Sequence, residues 1–101
     1  MTAIGELTIV PIRKGSMSAE IAKAIEALEP FDIDYETTPM GTIIEAESAS
    51  ELFAAARAAH EAVDEDRVIT TLTVDDNRTV TKRAADKVTA VEEQLGRPAK
   101  R

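Results

Sequence analysis

The sequence predicts an α+β domain: an antiparallel four-stranded sheet laid down in the order β-α-β-β-α-β, with a further helix at the C-terminal end. Three observations carry that expectation. β-Branched or alternating runs recur along the chain, segments with apolar residues at helical spacing lie between and after them, and Pro, Gly or capping residues stand at the joints. The 101 residues suffice for one domain, 1–101, and 44% hydrophobic against 31% charged residues supply a core and a wet exterior.

The first strand is read over 7–10, where Leu7, Thr8, Ile9 and Val10 run up to Pro11, which cannot continue a central ladder. Gly15 then marks a turn and Ser16 a candidate N-cap, and Met17, Ile21, Ala24, Ile25 and Leu28 form the stripe of a first helix closed before Pro30. Residues 31–36 alternate apolar with acidic, the period of a strand with one wet face. Pro39 and Gly41 break that pattern and 42–46 resumes it, so a third strand pairs with the second. Ser48 and Glu51 stand at capping-box spacing, and the helix they open carries Leu52, Ala55, Ala56, Ala59 and Val63. These mostly small side chains predict a close approach to the sheet.

The strongest strand signal is 68–74, β-branched at nearly every position and bounded by Arg67 and by Asp75-Asp76-Asn77, which reads as a turn cluster. That composition predicts a central strand. After Thr81, Ala84, Val88, Val91 and Leu95 give a third helix with a narrow apolar seam, stopped by Gly96, with a fraying basic tail over 97–101. The element order is the ferredoxin-like one, with both main helices on one sheet face. The other face needs a cover, which the third helix or a second copy of the chain can supply.

Composition narrows the function classes. The absence of Cys excludes disulfides, thiolate metal sites and a cysteine nucleophile, and a single His, His60, disfavours a zinc enzyme. A net charge of −7 repels phosphate backbones and anionic lipid, so neither nucleic acid nor a membrane is an expected partner. A ligand with a cationic group is the small partner this field tolerates best; the same acidity also serves ordinary solubility. With no run of membrane-spanning length and no basic, apolar leader, the expected location is cytoplasmic.

Few residues advertise chemistry. Arg13-Lys14-Gly15-Ser16 at a strand-to-helix turn offers amides and cations to an anion, against the plainer reading of a solvated turn, and it lacks the spacing of a nucleotide loop. His60 falls at the margin of the second helix's buried stripe, where it either bonds a polar ligand or finishes a packed face. Asp75 and Asp76 offer oxygen ligands, but the spacing of a calcium loop is missing and turn formation explains them better. Glu45, opposite Ile44 on its strand, is either solvated or a buried acceptor needing a donor, which a cationic or amino-bearing ligand could provide.

The run Thr38-Pro39-Met40-Gly41-Thr42 followed by Ile44-Glu45, then His60-Glu61, Arg67-Val68, Asp75-Asp76-Asn77-Arg78 and Lys87-Val88, resembles the thiamine-binding protein family, the YkoF-like group. The resemblance covers nearly the whole chain, with the T-P-M-G-T segment its specific part and a departure at Ala46, where a Gly commonly follows the Glu. It implies a ferredoxin-like fold, assembly as dimers or dimers of dimers, no cofactor, and binding of thiamine or its hydroxymethylpyrimidine moiety without catalysis.

The residues suit that implication. An aminopyrimidine presents a donor and ring-nitrogen acceptors, and a thiazolium carries positive charge. The hydroxyls of Thr38 and Thr42, backbone groups at Gly41, the Glu45 carboxylate and a soft contact from Met40 are complementary, with His60 nearby. The expected protein is therefore a non-catalytic, oligomeric small-molecule binder using Thr38, Met40, Gly41, Thr42, Glu45 and His60. The alternative is a structural or regulatory protein-interaction domain of the same fold. A hydrolase of acylphosphatase type using Arg13 rests on fold analogy alone and ranks last.

Overall fold

In the computed structural model, which describes residues 2–100, the chain runs β1 (Thr2–Pro11), α1 (Ser18–Glu26), β2 (Asp34–Thr38), β3 (Gly41–Ala46), α2 (Ala49–Glu61), β4 (Val68–Asn77) and α3 (Ala84–Leu95). β1 is longer than its apolar run suggests. It pairs antiparallel with β3 on one side and β4 on the other, and ladder bonds on both edges hold Gly5 and Glu6 in the strand despite their weak propensity. The sheet order is β2-β3-β1-β4, the expected ferredoxin-like arrangement.

Period-two alternation sorts the strands onto two faces. Ala3, Leu7 and Ile9 of β1 and Ile44 and Ala46 of β3 are buried under α1 and α2 together with Ala24, Leu28, Leu52, Ala55, Ala56 and Ala59. The alanine stripe of α2 does bring that helix close: a Cβ placed on Gly5 would lie 3.0 Å from the Leu52 Cδ1 atom. Ser48 caps α2 by accepting from the Glu51 amide at 3.2 Å. Only half of the expected capping box forms, because the Glu51 carboxylate instead accepts from the Asp32 amide at 3.3 Å and ties the loop before β2 to the helix.

Several sequence expectations are corrected. β4 is an edge strand, bonded only to β1; Val68, Thr70, Leu72 and Val74 turn toward the helices while Ile69, Thr71 and Thr73 are exposed. β-Branched residues fit any pleated surface, so their density does not report burial on both sides. Asp75 and Asp76 belong to β4, opposite Ile4 and Ala3, and the turn begins at Asn77, whose side-chain oxygen accepts from the Thr79 and Val80 amides. β2 starts at Asp34, because the Phe31 and Ile33 amides are spent on turn bonds to the Leu28 and Phe31 carbonyls. Met17 rather than Ser16 is the N-cap of α1, since the Ser16 hydroxyl accepts from the Ser18 amide in the preceding turn.

α3 lies against the second sheet face with no buried residue of its own. Gly96, at φ +72°, ends it in the left-handed conformation that favours glycine. In the tail the Ala99 amide donates back to Glu92 at 2.7 Å, and Arg101 lies outside the described residues. Among the described residues, no helix is long and apolar enough to cross a membrane.

Candidate functional site

The turn between β2 and β3 is drawn onto β1. The Thr38 hydroxyl donates to the Gly41 carbonyl at 2.9 Å, and the Thr8 hydroxyl donates to the Met40 carbonyl at 3.3 Å. The approach leaves no room for a side chain at Gly41, where a Cβ would sit 2.8 Å from the Leu7 carbonyl oxygen. This fixes one wall of a cleft whose floor is Leu7, Ile9, Ala24, Leu28 and Ala59 and whose opposite wall is Met17, Ile21 and Ile25 of the α1 side. Its volume is about 270 Å³.

Thr42 opens into this cleft. The residue is 6% exposed and its hydroxyl has no protein partner; since no buried side-chain nitrogen or oxygen is left unsatisfied among the described residues, the oxygen reaches the solvent of the cleft. Around the rim stand Thr37, Thr38, Pro39 and Met40, the last 79% exposed at the mouth. The cleft thus combines an apolar interior with a few polar groups, the usual make-up of a small-molecule site.

Of the residues singled out from sequence, Thr38, Met40, Gly41 and Thr42 come together here, and Glu45 and His60 do not line the cleft. Glu45 points to the other sheet face, opposite Ile4 and Asp34 in the ladder. It has the donors a buried acceptor requires: Arg83 Nε at 3.2 Å and the Ala84 amide at 3.3 Å, at the start of α3. Arg83 also reaches Asp34 at 2.6 Å, so one guanidinium joins β2, β3 and α3, and Lys87 pairs with Asp75 of β4. His60 Nδ1 lies 2.5 Å from the Thr70 hydroxyl on β4. Arg13 pairs with Glu65 at 3.2 Å across the loops at that end of the sheet.

Sequence reading missed Glu20 and Arg83. Glu20, only 5% exposed, accepts from the Asp64 amide at 2.8 Å and pairs with Lys23 at 2.7 Å, tying α1 to the loop after α2. The Lys23 ammonium and then the Asp64 amide hold its carboxyl below the usual carboxylate range. Its one signal was position, four residues before Ala24 on the buried stripe. Arg57 likewise lowers the Glu61 carboxyl by a hydrogen bond on the outer face of α2.

The family model described as thiamine-binding protein matches residues 5–92. A UPF0045 protein of Methanothermobacter thermautotrophicus is 44% identical over 95 residues, covering 89% of this chain and 96% of that one. The crystal structure of a hypothetical protein from Methanocaldococcus jannaschii superposes with a TM-score of 0.83 at 34% identity, over 91% of this chain and 97% of that one. A Thermotoga maritima structure described as a candidate thiamine biosynthesis/salvage protein gives a TM-score of 0.71 at 22% identity, covering 90% and 99%, a likeness of fold. With the model spanning most of the chain and both archaeal relatives matching nearly end to end, the chain belongs to the thiamine-binding protein family.

Proposed function

We propose that the protein binds thiamine or its hydroxymethylpyrimidine moiety, without converting it, in the cleft between α1 and the β2–β3 turn. The observation that carries this reading is Thr42: a hydroxyl with no protein partner, open to an apolar cleft. A ligand with a polar ring edge can bond that hydroxyl in place of water. Leu7, Ile21, Ile25 and Leu28 bury the ring faces, and the Met40 thioether at the mouth offers a soft contact. At about 270 Å³ the cleft lies at the small end of ligand sites, which suits one ring inside and the remainder outside. At roughly 0.3–0.5 kcal/mol per heavy atom, thiamine would bind with an affinity on the order of micromolar. Calorimetry with both ligands tests this, and chromatography of the ligand after incubation tests whether it is returned unchanged.

Assembly belongs to the same reading. α3 covers part of the second sheet face and leaves Ile69, 46% exposed, beside Thr71, Thr73 and Glu6, with Val91 and Leu95 of α3 also exposed. β4 adds a long unpaired edge. A second copy of the chain covers such a face by two-fold symmetry, giving a dimer or a dimer of dimers that buries about 1,200–2,000 Å² per interface. Light scattering after size exclusion at micromolar concentration distinguishes these from a monomer of 10.9 kDa.

A further inference from the structure

We infer that Arg83, which lies outside the cleft, is a positioning residue for its rim: by neutralising two carboxylates that face each other across the β2–β3 ladder, it holds β2, with Thr37 and Thr38, where a ligand needs them. This inference rests on the cleft reading above. Asp34 and Glu45 are direct partners in the antiparallel register, and like charges so placed push two strands apart. β2 is an edge strand of five residues bonded only to β3, so it has no second ladder to resist that repulsion. The sheet cannot answer it from within, because among the described residues no Lys or Arg occurs in any of its four strands.

The cation comes from the start of α3. Arg83 Nη2 lies 2.6 Å from Asp34 and Nε 3.2 Å from Glu45, so one planar guanidinium answers both acids, and the Ala84 amide donates to Glu45 at 3.3 Å. α3 buries none of its residues, so these bonds and the Lys87–Asp75 pair, rather than apolar burial, set where it rests. That position reaches the cleft through one wall. Thr37, Thr38 and Pro39 line the cleft on one side and, on the other, a groove against Lys87, Val88 and Val91 of α3. Asp34 opens β2 and Thr38 closes it, so loss of the bridge at one end frays the short strand toward the rim at the other. The Tyr35 hydroxyl, donating to Glu29, gives β2 one further tether and bounds the effect. A ligand then binds only the fraction of molecules whose rim is in place, and its apparent affinity falls by that fraction.

The test is calorimetry with hydroxymethylpyrimidine, an uncharged probe that does not respond to the protein's net charge, against the native protein, R83E, the double variant D34K/R83E and T42V. The Arg83 side chain is 59% exposed, so these substitutions retain the fold, which circular dichroism verifies. R83E gathers three carboxylates at one corner and is expected to weaken binding roughly three- to tenfold and to speed amide exchange over residues 34–38. D34K/R83E exchanges the signs across the bridge and should recover most of the affinity, a rescue that a general loss of packing would not show. R83Q, which only removes the bridge, should lose about two- to threefold and be rescued by D34N, and this pair carries the test if R83E fails to fold. If T42V weakens binding but the Arg83 variant binds as the native protein does, or if the Asp34 substitution restores nothing, the Arg83 inference is overturned and the cleft stands. If T42V binds hydroxymethylpyrimidine as the native protein does, or nothing binds, the cleft reading fails and this inference with it.

Discussion

Thr42 and Glu45 stand three residues apart on β3 and face opposite sides of the sheet: Thr42 opens into the cleft under α1, and Glu45 is held by Arg83 beneath the start of α3. The two faces therefore do separate work. One offers a ligand an unpaired hydroxyl, and the other docks a helix through charge.

The Thr42 hydroxyl has no protein partner and meets the solvent of the cleft, so T42V removes no protein hydrogen bond and keeps the shape. The variant is expected to keep the native stability to within about 0.5 kcal/mol. Thermal unfolding monitored by circular dichroism checks this. A clear loss of stability would mean that the hydroxyl has a partner in solution.

Arg83 bridges Asp34 and Glu45, yet its side chain is largely exposed, so R83A is expected to cost only about 0.2–1 kcal/mol of global stability. Its local effect should be larger. α3 buries none of its residues, so loss of the bridge should speed amide exchange across residues 84–95 by severalfold while the α1 and α2 amides stay protected. Exchange mass spectrometry reads both at once, and equal change throughout would contradict a helix docked by charge.

G41A introduces a Cβ 2.8 Å from the Leu7 carbonyl oxygen, a backbone atom that moves only if β1 moves. The expected loss is about 1–3 kcal/mol, seen as a lower urea midpoint at unchanged slope. G15A, at an open turn with nothing near its Cβ, is a useful contrast: its cost is backbone strain alone, and the cleft is untouched.

The pH dependence follows from Glu20. Its folded carboxyl is depressed by Lys23 and by the Asp64 amide, so in acid the unfolded chain takes up this proton first. The stabilisation is fully present above the ordinary carboxylate range and disappears as pH falls through the lowered folded value. E20Q should therefore be less stable than the native protein at neutral pH, and the difference should shrink as the solution is acidified. Urea unfolding from pH 7 down to pH 3 measures it, and a constant gap would show that the Glu20 charge is not the cause.

The order of elements was legible because each obeys its own period: Leu52, Ala55, Ala56 and Ala59 repeat as a helix, and Thr42, Ile44 and Ala46 alternate as a strand. Edge or centre was not, since the β-branched run of β4 looks the same with one neighbour or two. The local turn segment of the site was also readable. Gly41 and Thr38 act within a few residues of each other, and the T-P-M-G-T run marks them. Resemblance grouped Thr42 with Glu45 in one segment, whereas alternation alone sends them to opposite faces. The donor to Glu45 lies 38 residues further on at Arg83, and the partner of Glu20 is a backbone amide 44 residues away, pairings that only the folded chain makes.

The central claim, a ligand-binding cleft organised around Thr42, is tested most directly by titrating hydroxymethylpyrimidine and thiamine into the native protein and into T42V in a calorimeter. The account predicts saturable binding on the order of micromolar to the native protein and roughly three- to tenfold weaker binding to T42V, the scale of one neutral hydrogen bond. Absence of saturable heat at about a hundredfold excess over that affinity, or equal affinity for the two folded proteins, would contradict it.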